Sequence, residues 1–342
     1  MIRILLLLLV LASCKEHSKN KLTTIEGTAM TIDYKVSVGH PLETHEIDII
    51  KNIISNSFQE VDDIYNRWNP KSEISRLNKS QSIEPSEVSE KLYSLLNYAS
   101  NFVKISEGRF DPTVEPLVIL WKKKLEHNEI PSEEELAKVR SYVGWSHIHL
   151  DDHLFRKDNP LTEIDLGGIA KGFAVDLVIQ NLLKAGYKNL LVDWGGEIRA
   201  AGMHPENRPW KVFISRLNDI NPDHSLAEII LEDEAIATSG DYNQYWVHQD
   251  GNAITTYTHI INPLTGYPLA LKKHSIASVS VLAPTCAEAD ALATAAMVYN
   301  DIDDARAWIA RVDNEVPQTE FWFVTRDNER KTTELNPPIH NP

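Results

Sequence analysis

The sequence predicts an α+β fold, mainly antiparallel sheets with packed helices, and three observations carry that prediction. Long segments with apolar residues at helical spacing are interspersed with many short alternating segments. The two kinds do not succeed one another as regular βαβ units would, so a doubly wound parallel sheet is not expected. A chain of 342 residues, 42% hydrophobic and 24% charged, has enough material for one large core or two intimately packed subdomains. No repeat, low-complexity block or clean linker divides it.

In chain order, Met1-Ile2-Arg3 is a short basic start, and residues 4–10 form an unbroken apolar run leading to Leu11-Ala12-Ser13-Cys14. That run is far too short to span a bilayer and reads as an export signal. Leu-Ala-Ser-Cys resembles the bacterial lipobox. The expectation is a signal peptide over 1–13, lipidation at Cys14 and a tether over 14–26, with the protein held on the extracytoplasmic, periplasmic side of a bacterial cell envelope. A plain signal peptide with an incidental cysteine is the alternative. Only Cys286 remains beyond Cys14, so no internal disulfide is expected despite the oxidising compartment, and Cys286 reads as a small buried hydrophobe. The net charge of −15 argues against nucleic acid as a partner.

Residues 28–38 alternate as a strand. Residues 44–68 and 84–105 carry apolar residues at helical spacing, and 113–125 and 132–139 read as two shorter helices. A hairpin is expected over 147–150 and 154–156, and strands over 189–192, 210–215, 227–231, 235–238, 254–261, 275–282 and 320–324. Helices are expected over 284–299 and 302–311.

The segment Ile-Asp-Leu-Gly-Gly-Ile-Ala-Lys-Gly-Phe-Ala-Val-Asp, residues 164–176, organises the rest. It reads as a short strand, a turn at Gly167-Gly168 and a helix start. Such a start carries unpaired N–H groups that suit a phosphate, although the segment matches neither common phosphate-binding glycine motif. Asp290 and Thr294 lie four apart on the 284–299 helix and therefore share a face. A carboxylate with a hydroxyl is a hard-oxygen pair suited to Mg²⁺ held jointly with phosphates, while a hydroxyl bonded back into its own helix is the plainer alternative. Asp111 before Pro112 is open to two readings, ligand contact or helix N-cap. Trp68 can stack on a planar ring or simply pack, Met30 can be core, and His259 can be a structural histidine as well as a base.

Taken in series, Gly27-Thr28-Ala29-Met30, the 108–117 loop, the 164–176 segment, the 191–202 and 237–242 stretches, the 259–266 turn and the 283–295 stretch resemble the ApbE family, the FAD:protein FMN transferases. The resemblance covers Gly27 to about Thr294 and implies an ApbE/T-fold-like domain over 27–342. It implies FAD as substrate, with Met30, Trp68, Arg109, Phe110, Asp111, Asp165, Lys171 and Ile261 at FAD-contacting positions. It implies Mg²⁺ as cofactor, held by the carbonyl of Gly168 and by Asp290 and Thr294. His259 matches a histidine given a catalytic role in some members, and Lys171 would add positive charge at the diphosphate. Two departures are Glu197, where many members carry Asp, and Trp68, where Tyr is common.

The implied reaction is attack of a Ser or Thr hydroxyl of an exported or membrane redox protein on the FMN-side phosphorus of FAD, releasing AMP. Water as acceptor would make the chain an FAD pyrophosphatase, and a lipoprotein that binds FAD without turnover is a third reading. The metal site requires Asp290 and Thr294 to lie beside the Gly167–Gly168 turn.

Overall fold

The structure is a computed structural model that describes residues 22–216, 221–241, 245–326 and 332–335. The expected signal peptide, Cys14, the tether up to residue 21 and Tyr242 lie outside the described residues.

The chain begins with β1 (Thr23–Ala29) and β2 (Ile32–Val38), then α1 (Thr44–Ile64), α2 (Glu73–Lys79), β3 (Ser86–Glu87), α3 (Glu90–Ile105), α4 (Glu115–Leu125) and α5 (Glu133–Arg140). The hairpin of β4 (Ile148–Asp151) and β5 (Leu154–Lys157) leads to α6 (Ala170–Lys184), β6 (Leu190–Trp194) and β7 (Glu197–Ala201). A ribbon of β8 (Trp210–Ile214) and β9 (Ala227–Leu231) precedes β10 (Ala235–Gly240), β11 (Tyr245–Asp250), β12 (Ala253–Ile261) and β13 (Pro268–Ala270). The last elements are β14 (Ile276–Ala283), α7 (Cys286–Val298), α8 (Ile302–Val312), β15 (Glu320–Thr325) and β16 (Thr332–Leu335). The α+β expectation with mainly antiparallel sheets holds.

An eight-stranded sheet in the order β1-β2-β6-β7-β10-β14-β15-β16 is the frame. Its paired strands run antiparallel. Alternation then separates two cores, because successive side chains leave opposite faces of a strand. Ala235, Ala237, Val279, Val281, Phe321 and Phe323 turn to the face covered by α1, α3, α6, α7 and α8. Ile236, Leu282 and Trp322 turn to the other face, where Trp210, Val212, Ile229 and Leu231 of the β8–β9 ribbon close over them. β14 is buried from end to end, having a layer on each side. A third core lies between α4, α5 and the small β11-β12-β13 sheet, around Leu117, Trp121 and Leu136.

Several expectations change. The strand expected over 28–38 is a hairpin: Ala29 pairs with Ile32, leaving Met30 and Thr31 as a two-residue turn with φ of 47° and 69°. Positive φ at both positions matches the right-handed twist of the flanking strands. β1 starts at Thr23, inside the stretch assigned to the tether, because Ile25 is buried against the main core. The loop that the sequence suggests over 69–75 ends early, because α2 starts at Glu73, with Ser72 accepting the Ser75 N–H as its cap. No strand forms over 164–166.

Candidate active site

The glycine segment is pinned before its helix starts. The Ile164 N–H donates to Asn78 Oδ1 at 2.8 Å, and Asn78 Nδ2 donates to the Ile164 carbonyl at 2.8 Å. The buried Lys157 ammonium donates to the carbonyls of Asn78, Pro160 and Thr162 at 3.0, 2.9 and 3.1 Å. Burial holds its pKa below the ordinary lysine value. Asp165 donates its N–H to the Pro112 carbonyl at 2.7 Å and accepts the Gly167 N–H at 2.8 Å. These side-chain and loop bonds replace the ladder that a strand would have needed.

α6 then docks on α7 at almost no separation. A Cβ on Gly172 would collide with the Cys286 carbonyl and stand 2.7 Å from the Ala287 nitrogen. Asp176 accepts the Cys286 and Ala287 N–H groups at 3.0 and 2.9 Å and pairs with Arg199 at 2.5 Å. One carboxylate thus satisfies two otherwise unpaired donors of the α7 start. In return Asp290, on α7, accepts the Gly172 N–H at 3.0 Å. One turn further along α7, Thr294 Oγ1 lies 3.0 Å from where a Gly168 Cβ would be, and it hydrogen-bonds Ser239 Oγ at 3.3 Å. Gly168, Asp290 and Thr294 therefore meet at one place.

Lys171 and Glu197 complete that place. The Lys171 ammonium bonds Glu197 Oε1, and Glu197 Oε2 is buried without a hydrogen-bond partner. Burial pulls Lys171 down, but Glu197 and then Asp290 outweigh it and hold the ammonium above its ordinary value. Burial pushes the carboxyls of Glu197 and Asp290 up. Two buried acids face one base, an arrangement that a bound cation would offset.

The remaining expected residues surround this cluster in different ways. Phe110 is buried, and its ring edge stands 3.2 Å from the position of a Gly168 Cβ, so it shapes the glycine turn from below. Asp111 spends both oxygens on backbone: Oδ1 accepts the Thr113 N–H at 2.8 Å and hydroxyl at 2.6 Å, and Oδ2 accepts the Trp145 N–H at 3.0 Å. It acts as the cap of the short helical turn Pro112–Val114. Arg109 pairs with Glu107 at 3.2 Å and lies 3.9 Å over the Tyr299 ring at the end of α7. The Ile261 side chain enters the third core. Met30 occupies the β1–β2 turn, next to Ile32, whose carbonyl accepts the Trp194 indole N–H at 3.3 Å. His259 is half-buried on β12. Burial pushes the nearby Asp241 carboxyl up, while Arg326 and His259 draw it down. Asp241 is two residues from Ser239, whose hydroxyl hydrogen-bonds Thr294.

Trp68 is 74% exposed, with the Arg67 guanidinium 3.9 Å from its ring centroid. Arg67 bonds Asp165 at 2.9 Å and Glu115 at 2.6 Å. Burial, with Asp165 adding to it, pushes the Glu115 carboxyl up to about 7 against the pull of Arg67.

Arg67, Glu115, Asp176 and Ser239 were not singled out from the sequence, and Glu197 was marked only as a departure with no role, although each lies in or beside a quoted motif. A usable signal existed for two of them. Glu115 heads an otherwise apolar run, and Glu197 directly follows the Gly195-Gly196 pair of a quoted motif.

The donors present suit the implied metal. A carbonyl, a carboxylate and a hydroxyl are hard oxygens, and Mg²⁺ takes few protein ligands when phosphates share its shell. Among the described residues no group of three His, Cys, Asp or Glu could hold a metal.

Known proteins of similar sequence and fold belong to one family. A sequence model of the ApbE family matches residues 27–318. A Chlamydia pneumoniae protein named FAD:protein FMN transferase is 38% identical over 305 residues, covering 89% of this chain and 92% of the relative. The apo crystal structure of Pseudomonas stutzeri flavinyl transferase ApbE superposes with a TM-score of 0.78 at 26% identity, covering 93% of this chain and 95% of that one. The flavin transferase ApbE from Vibrio cholerae gives a TM-score of 0.74 at 29% identity, covering 92% and 96%.

Proposed function

The chain belongs to the ApbE family and is an FAD:protein FMN transferase, and we propose that it works by Mg²⁺-dependent transfer of FMN to a Ser or Thr hydroxyl, releasing AMP. The observation that supports this reading best is the meeting of Gly168, Asp290, Thr294 and Lys171 at the start of α6.

In this reading the acceptor hydroxyl attacks the FMN-side phosphorus of FAD, a new P–O bond forms, and the bond from that phosphorus to the oxygen leaving with AMP breaks. Phosphoryl transfer depends mainly on positioning and on neutralising phosphate charge. Asp290, Thr294 and the Gly168 carbonyl would hold Mg²⁺, which supplies Lewis-acid neutralisation of the diphosphate. Lys171, kept protonated beside Glu197, donates to phosphate oxygens and carries the positive charge at the diphosphate, the Gly167, Ile169 and Ala170 N–H groups being taken by Asp165 and by the Leu166 carbonyl. His259 takes the hydroxyl proton, its imidazole being suited to exchange near neutral pH. Trp68 offers an exposed ring face to a planar ring of the dinucleotide. The acceptor is an exported or membrane redox protein, and the enzyme is lipid-anchored through Cys14 outside the cytoplasm, a reading supported by the apolar leader and its Leu-Ala-Ser-Cys ending.

Incubating the protein with FAD, Mg²⁺ and a candidate acceptor tests the reading. Gain of one FMN mass on the acceptor with stoichiometric AMP supports it. AMP with free FMN would instead identify a pyrophosphatase, and bound FAD without products a binding protein.

A further inference from the structure

We propose that Arg67 is a positioning residue for dinucleotide binding, holding the Trp68 indole as a fixed stacking face by lying beneath it while clamped to Asp165 and Glu115. The inference rests on the FAD reading above and extends it to a side chain that reading does not use.

Arg67 and Trp68 follow α1, in a loop whose own bonds are short-range. Asn66 Oδ1 accepts the Trp68 N–H at 3.0 Å, and Ser75 Oγ donates to the Arg67 carbonyl at 2.9 Å. Nothing in those bonds fixes the indole itself, which is 74% exposed. A large aromatic ring left free at the surface gains little and must lose rotamer freedom when a ligand stacks on it. Here the guanidinium carbon lies 3.9 Å from the ring centroid, so one face is covered by a flat cation and the other is open to solvent.

The cation is itself immobile. Its Nη1 bonds Glu115 Oε1 at 2.6 Å and its Nε bonds Asp165 Oδ2 at 2.9 Å. Glu115 opens α4, and Asp165 sits in the glycine segment, held by the Pro112 carbonyl and the Gly167 N–H. The planar fork of arginine suits this three-way task. It takes carboxylates along its edge and an aromatic ring on its face, which a lysine cannot do together. Arg67 thereby ties the exposed indole to the turn that carries Gly168.

The test is a double-mutant cycle on FAD affinity by titration calorimetry, using the full folded protein with Mg²⁺ present. R67M and W68A should each weaken FAD about tenfold, the size expected for one stacking or cation–π contact. R67M/W68A should bind within about twofold of W68A, because Arg67 acts through the ring. R67K, which keeps the charge, should also raise KM for FAD with little change in kcat. Additive losses, or FAD affinity unchanged in R67M while its Tm falls, would show a merely structural arginine and overturn the proposal. If R67M does not fold, R67K carries the same cycle. Absence of FAD binding by the unmutated protein would instead overturn the FAD reading itself, and the proposal with it.

Discussion

Gly172 of α6 and Cys286 of α7 are in backbone-to-backbone approach, with no room at Gly172 for even a methyl group. This approach lets the Gly172 N–H reach Asp290, and so sets the distance between the Asp290–Thr294 face of α7 and the glycine turn. G172A should therefore part the two helices. The expected loss is about 3 kcal/mol of stability, at the upper end for an overpacked core. Denaturant unfolding measures it, and an unchanged midpoint would show that the helices can slide without cost.

Lys157 supports the same turn from outside the reacting centre. K157M removes the ammonium that three carbonyls share, leaving the buried Thr162 carbonyl and the half-buried carbonyls of Asn78 and Pro160 without that donor. A cost of about 3 kcal/mol is expected. Faster hydrogen exchange should appear over 158–164, where the segment enters the site. Exchange restricted to other regions would contradict that placement.

Much of this frame was legible beforehand, for identifiable reasons. β14 and α7 announce themselves because their apolar residues are continuous or closely spaced, and length separates strand from helix. The Met30–Thr31 turn did not, since neither residue is the Gly or Asn that usually marks positive φ. Gly168, Asp290 and Thr294 could be named from a motif resemblance, but their meeting depends on the Gly172 approach, which only the folded chain displays. The Arg67–Glu115 pair, 48 residues apart, leaves no periodic trace, because a single ion pair has no spacing rule in sequence. Asp111 was open between ligand contact and cap, and its three bonds to Thr113 and Trp145 show a cap.

Glu115 should make stability depend on pH. Its carboxyl is raised from 4.5 to about 7 in the folded chain by burial and by Asp165. The folded state thus holds this proton more tightly than the unfolded state. Its contribution is fully present below 4.5 and is lost as pH rises through about 7. E115Q, which cannot ionise, should lack this loss, so its stability relative to the unmutated protein should climb by up to about 1.4 kcal/mol per pH unit within that window. Chemical unfolding from pH 4.5 to pH 8 decides it; parallel profiles would mean that Arg67 keeps Glu115 ionised throughout.

His259 is expected to act on the proton of the incoming hydroxyl. H259N should lower turnover about 10²- to 10⁴-fold, the usual range for a lost general base, with FAD affinity nearly unchanged. A normal rate at pH 7 would remove His259 from the chemistry.

The central claim is that Asp290, Thr294 and the Gly168 carbonyl seat a metal beside the diphosphate of FAD. D290N keeps an acceptor for the Gly172 N–H and so should preserve the fold, while losing the charge that holds Mg²⁺. The deciding measurement is the intact mass of an acceptor protein after incubation with FAD, Mg²⁺ and either the unmutated enzyme or D290N. One FMN mass added by the unmutated enzyme and none by D290N is the predicted result. Full labelling by a folded D290N at the same Mg²⁺ concentration would contradict it.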